Sequence, residues 1–153
     1  MGGTENALRV SDFLLELYHD ASKCTPDELR LRVLKNLQRF IPFDFGVWGG
    51  GLADGRLVTD LTVLNQSEAI LGEWDSVAQE DAFCELTLNR LGTTARFDDV
   101  PDYRASLAYN EHWRGFDASH MMATIVGEPT DGYVSFVGLC ADDRPVAFSD
   151  TER

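Results

Sequence analysis

Over residues 11–22 the apolar positions recur at helical spacing. Leu14, Leu17, Tyr18 and Ala21 fall on one stripe, with Glu16 and Asp20 off it. The pattern predicts an amphipathic helix that buries that stripe. A second helix has a sharper start at Thr25-Pro26-Asp27-Glu28. Thr stands at the N-cap, Pro at the first helical position, and Glu three residues after the cap, which makes a capping box with the favoured proline. Val33, Leu34, Leu37, Phe40 and Ile41 supply its apolar face, and Pro42 is expected to stop it.

The period then changes to strict alternation. Phe43, Phe45 and Val47 share one face of a strand, and Asp44, Gly46 and Trp48 share the other. Gly49-Gly50-Gly51 is expected to end this strand, with glycines at positive φ. Asp54-Gly55 is a hairpin turn signal, and Leu57–Leu64 reads as the antiparallel neighbour. Ser67 can cap a third helix with Ile70, Leu71, Trp74, Val77 and Ala78 inward. Residues 81–91 look helical up to Gly92, and residues 94–97 read as a short strand. Residues 101–113 form a loop becoming a helix. Strands over 120–127 and 133–140 flank a loop, Glu128-Pro129-Thr130-Asp131-Gly132, of hairpin type. The order is two helices, a hairpin, a helical insertion and another hairpin. Ser149-Asp150-Thr151-Glu152 is a second capping box, with Phe148 placed as its staple. It announces a further helix, so the chain is expected to be a fragment whose next element follows Arg153.

Composition narrows the function classes. The chain has 153 residues, enough for one domain, here expected to span 1–153. Three Trp, four Tyr and nine Phe give it enough apolar area to offset ordering entropy. The longest uncharged runs, 118–127 and 132–141, are far short of the about 20 apolar residues that span a bilayer. No signal-peptide pattern opens the chain, so a cytoplasmic location is expected. A net charge of −13, with Lys23 and Lys35 the only lysines, excludes the cationic cluster that phosphate backbones require. Cys24, Cys84 and Cys140 lack CxxC spacing and read as reduced thiols.

The segments "RFIPFDFGVWGGG", "ILGEWDSV", "GFDASHMMATIV" and "GYVSFVGLCADDRPVAFSDTER", in this order, resemble the GAF-like sensor domains at the N-terminus of bacterial LuxR-type helix-turn-helix transcription regulators. The resemblance covers residues 11–153. It implies an α+β fold, a GAF/PAS-like antiparallel β-sheet flanked by helices. It also implies a small-molecule effector, a homodimer, and DNA binding only through a C-terminal domain beyond this chain. A narrower relative is the acyl-homoserine-lactone-binding domain, whose motif joins Trp and Tyr to an Asp-Pro that receives the lactone amide. Trp74 and Asp81 are present here, but Ala78 and Ala82 stand where Tyr and Pro belong. That departure argues against a homoserine lactone.

Catalytic chemistry finds little support. His19, His112 and His120 lack helical zinc spacing, and Asp117-x-x-His120 has no evident third ligand. There is no GxSxG elbow and no phosphate-binding glycine frame. Cys84 sits beside Glu85, which opposes thiolate formation. No metal and no cofactor are expected, and the chain is read as a non-enzyme. The rival readings are a dimerisation module with no ligand and a cysteine-dependent methionine sulfoxide reductase of the GAF class. The candidate ligand-binding residues are Trp48, Trp74, Tyr103, Tyr109, Trp113, Met122 and Phe136, large side chains of which Tyr and Trp carry a polar tip needing a partner. Trp48 shares its strand face with Gly46, which leaves room beside it. Tyr103, Tyr109 and Trp113 lie on a segment placed to form a lid.

Overall fold

The computed structural model describes residues 2–127, 131–142 and 148–152. It divides into two compact units, Met1–Ile41 and Pro42–Arg153.

The first unit is a helical hairpin of α1 (Gly2–Ala21) and α2 (Pro26–Leu37). The Thr25 capping box forms as expected: Thr25 Oγ1 accepts from the Glu28 amide at 3.3 Å, and the Glu28 carboxylate accepts from the Thr25 amide at 2.9 Å. Ion pairs Arg32–Asp20 and Arg39–Glu16 and an edge-on contact of Phe13 with Phe40 set the two helices antiparallel. Helix α2 ends at Leu37, before Pro42, so Phe40 and Ile41 lie in the turn that follows it. Helix α1 begins well before residue 11. Its expected buried stripe is largely open: Leu14 is 45% and Tyr18 77% exposed, with Val10 and Leu15 also exposed beside them.

The second unit is built on a five-stranded antiparallel sheet in the order β2-β1-β5-β4-β3. Its strands are β1 (Phe45–Leu52), β2 (Leu57–Leu64), β3 (Ala95–Arg96), β4 (His120–Gly127) and β5 (Tyr133–Ala141). Between β2 and β4 runs the helical insertion, with α3 (Ala69–Trp74), α4 (Ala82–Asn89) and α5 (Leu107–Glu111) joined by 3-10 turns. Its apolar side chains pack on one sheet face, against Phe45, Val47, Ala95, Met121, Ala123 and Cys140. The α+β antiparallel architecture expected from the sequence is the one observed. Among the described residues no helix is long and apolar enough to cross a membrane.

The glycine run of β1 departs from expectation. Gly49, Gly50 and Gly51 lie inside the strand and none has positive φ. They answer to close approach. A Cβ at Gly49 would run into the Asp60 carbonyl and sit 2.8 Å from the tip of the Phe136 ring. One at Gly50 would strike the Tyr133 hydroxyl. The register shifts between Gly50 and Gly51, which leaves Thr59 as the extra residue of a β-bulge. The turn beyond, Asp54–Arg56, carries Gly55 at φ 74° as the Asp-Gly pair foretold. The second hairpin pairs Gly127 with Val134, but residues 128–130 of its loop lie outside the described residues. Phe148 is buried, and the Glu152 carboxylate accepts from the Ser149 amide at 2.7 Å, one half of the second capping box.

Candidate functional site

Alternation assigns the two faces of the sheet. Val47 and Gly51 of β1, Val58 of β2, Met121, Ala123 and Ile125 of β4, and Val134, Phe136 and Gly138 of β5 look toward the helical insertion. Opposite them stand Leu71, Trp74, Phe83, Cys84, Thr87, Leu88 and Trp113. The space left between is a cavity of about 90 Å³ with almost wholly apolar walls. A single water needs only about 10–15 Å³ of such space. A wider groove of about 390 Å³ runs along β2 and α3, lined by Thr59, Asp60, Leu61, Gly72 and Asp75. Arg56, Leu57, Val58, Leu71 and Trp74 border both spaces, so the groove is the approach to the cavity.

Asp81 organises the helical wall. It is the N-cap of α4, its Oδ1 accepting from the amides of Phe83 at 3.0 Å and Cys84 at 3.4 Å. The side chain is 1% exposed and gathers three more donors. Tyr103 donates its hydroxyl to Oδ1 at 2.7 Å, and the indoles of Trp74 and Trp113 donate to Oδ2 at 2.8 and 3.1 Å. A carboxylate offers about four lone-pair positions. Five donors exhaust them. Burial, with the Asp81 carboxylate next in importance, holds the Tyr103 hydroxyl far above its ordinary pKa, so Tyr103 acts only as a donor. Behind this hub Phe97 is fully buried and in ring contact with Phe83, Tyr103, Tyr109 and Trp113 at centroid distances of 4.6–6.2 Å.

The hairpin turn is tied to the same wall. Arg56 donates from one terminal nitrogen to the carbonyls of Ala78 and, at 3.3 Å, Asp81. Gln79 donates to the Gly55 carbonyl at 2.9 Å. Arg56 itself sits at φ 51°, in the left-handed region that costs a side-chain-bearing residue roughly 1 kcal/mol or more. Cys84 lines the cavity as a neutral thiol: burial, partly offset by the nearby Arg56 cation, pushes its pKa up to about 12.

Of the seven candidates from the sequence, Trp74, Trp113 and Phe136 line the cavity. Tyr103 reaches its wall from behind through Asp81, and Tyr109 belongs to the cluster around Phe97. Trp48 and Met122 do not line it. Trp48 alternates with Val47, and Met122 with Met121, so both stand on the opposite sheet face. Tyr103, Tyr109 and Trp113 are buried parts of the wall, not a lid. The list of candidate ligand residues left out Arg56, and it left out Asp81 although the lactone-type motif had pointed to that residue. The N-cap position of Asp81 was a usable signal for a fixed carboxylate, whereas nothing local marks Arg56.

No family model and no curated protein matches this chain. Solved structures do. The VqsR LBD domain from Pseudomonas aeruginosa superposes with a TM-score of 0.66 at 15% identity, over 93% of this chain and 84% of that one. CepR2 from Burkholderia cenocepacia, an N-acylhomoserine-lactone-dependent LuxR-family transcription factor, gives 0.63 at 13% identity over 95% and 84%. SdiA in complex with octanoyl-rac-glycerol gives 0.64 at 10% identity, over 95% of this chain but 58% of that one. The chain therefore has the fold of the ligand-binding domains of LuxR-family regulators.

Proposed function

We propose that this chain is the small-molecule-sensing domain of a LuxR-type transcription regulator, with its effector lodged between the sheet and the helical insertion. The observation that carries the reading is an apolar cavity, backed by a fully hydrogen-bonded aromatic wall and reached by a groove. Such a concave site with few polar groups is the usual form of a small-molecule pocket. Residues 1–153 would act as one sensor domain of the GAF-like class. A helix-turn-helix domain elsewhere in the protein would do the DNA binding, and the effector would act by favouring one arrangement of the chain over another. The effector differs from a homoserine lactone on this reading. Asp81, the residue that the lactone motif uses to accept the ligand amide, has no lone pair to spare.

A library of short-chain amphiphiles, followed by thermal unfolding, tests this. At about 100 times its Kd a ligand adds about 2.7 kcal/mol. Ala123→Leu, which fills the cavity floor, should abolish the shift without lowering stability. A library with no active compound would count against a sensing role.

A second reading, a dimerisation module, draws on one observation. Val10, Leu14, Leu15 and Tyr18 leave an apolar stripe exposed on α1. Sedimentation of the chain and of Leu15→Glu distinguishes them: a concentration-dependent dimer lost in the variant supports self-association.

A further inference from the structure

The polar groups around the cavity carry the sensing reading one step further, to the chemical class of the effector. Four polar side chains border it: Arg56, Asp81, Cys84 and Thr87. Asp81 is saturated by its own donors. Cys84 is a neutral, poorly polar thiol. The Thr87 hydroxyl donates inward to the Cys84 carbonyl at 2.8 Å. Arg56 remains. Both of its contacts use one terminal nitrogen, and among the described residues no carboxylate pairs with it. Arg56 lines both the cavity and the groove, and its remaining guanidinium N–H groups make no other hydrogen bond among the described residues. A guanidinium is a fork of five donors with no acceptor, matched to a carboxylate.

We infer that the effector is a monoanionic amphiphile, with its apolar chain in the cavity and a carboxylate or like acceptor head on Arg56. The rest of the chain argues for a single charge. Asp60 and Asp75 line the outer groove and the net charge is −13, so a free dianion would be repelled. Affinity has to come from burying the chain, at about 0.8 kcal/mol per methylene. Arg56 then fixes which end stays at the mouth. The hydrogen bonds of Arg56 to the carbonyls of Ala78 and Asp81 tie that side chain to the helical wall beside the cavity.

The test uses the whole chain and matched probes: hexanoate, octanoate and decanoate, each beside its methyl ester, by calorimetry and thermal shift. The acids should bind at least 10-fold more tightly than their esters. Arg56→Gln should erase that preference and Arg56→Lys should keep part of it, with circular dichroism confirming that both variants fold. Equal binding of acid and ester, or a preference that survives Arg56→Gln, overturns the assignment of the headgroup and leaves the sensing role standing. If neither acids nor esters bind, while Ala123→Leu is at least as stable as the parent, the sensing role falls and this inference falls with it.

Discussion

Trp113 donates its indole N–H to Asp81 Oδ2 at 3.1 Å, from a position 32 residues further along the chain. Trp74 donates to the same oxygen at 2.8 Å. One buried carboxylate thus fixes two indoles, and each indole presents its ring to the cavity. The Asp81 carboxylate and the side-chain donors of Trp74, Tyr103 and Trp113 are all spent on one another. Networks of this kind are costly to break in part, since each donor left behind is desolvated and unpaired.

Replacing Asp81 by Ala should therefore be among the most damaging single changes. It strands three side-chain donors and removes the cap of α4. The expected loss is at least about 3 kcal/mol, read from urea unfolding with an unchanged m-value. A cost below about 1 kcal/mol would mean that water reaches the hub.

Trp74→Phe and Trp113→Phe each keep an aromatic ring but lose the pyrrole half of the indole with its N–H. Each should cost about 1.5–3 kcal/mol. The double variant should cost more than the sum, because after either change the remaining indole has Oδ2 to itself. A coupling of at least 0.5 kcal/mol, in order of magnitude, is the expected outcome of the cycle. Strict additivity would show that the two donors do not share the oxygen.

Gly49→Ala places a methyl group against the Asp60 carbonyl and the Phe136 ring. The ring can shift a little, but the strand backbone cannot without breaking the ladder. The change should cost roughly 1–3 kcal/mol, and a neutral result would show that β2 is free to move outward.

His112 is buried against Trp113 and Phe116, and its Nε2 has no hydrogen-bond partner. Burial lowers its pKa from 6.5 to about 4, opposed by the Asp81 charge and a backbone hydrogen bond with Ile70. The unfolded chain takes up the proton first. Stability is then complete above pH 6.5 and falls as the pH drops toward 4. Between pH 7 and pH 5 the loss should be on the order of 1–2 kcal/mol. His112→Gln should flatten that part of the profile. Parallel profiles for the two proteins would show that His112 is not the group responsible.

Burial raises the pKa of Cys140 as it does that of Cys84, which favours the neutral thiol at both positions. Iodoacetamide at pH 8 should leave both unlabelled in the folded chain and label both in urea. Rapid labelling of folded Cys84 would reopen a thiol chemistry for the cavity.

Sequence reading reached some of this and missed the rest for definite reasons. The Thr25 box, the Asp54-Gly55 turn and the bounds of β2 and β4 were legible, because each is settled between near neighbours in the chain. The glycine run was misread as a strand end. Its cause is the approach of Asp60, Phe136 and Tyr133, which no local pattern contains. Trp48 and Met122 were grouped with the pocket because alternation separates two faces without saying which one holds the space.

What the sequence alone determined is therefore the set of elements, since caps, turns and alternation act over a few residues. Tertiary structure decided the site. Asp81 meets Trp74, Tyr103 and Trp113 across separations of 7, 22 and 32 residues. Arg56 reaches the carbonyl of Asp81 across 25. Contacts over such distances exist only once the insertion has closed onto the sheet. The cavity is the volume that closure leaves unfilled, a property of the packed whole that no single stretch of chain encodes.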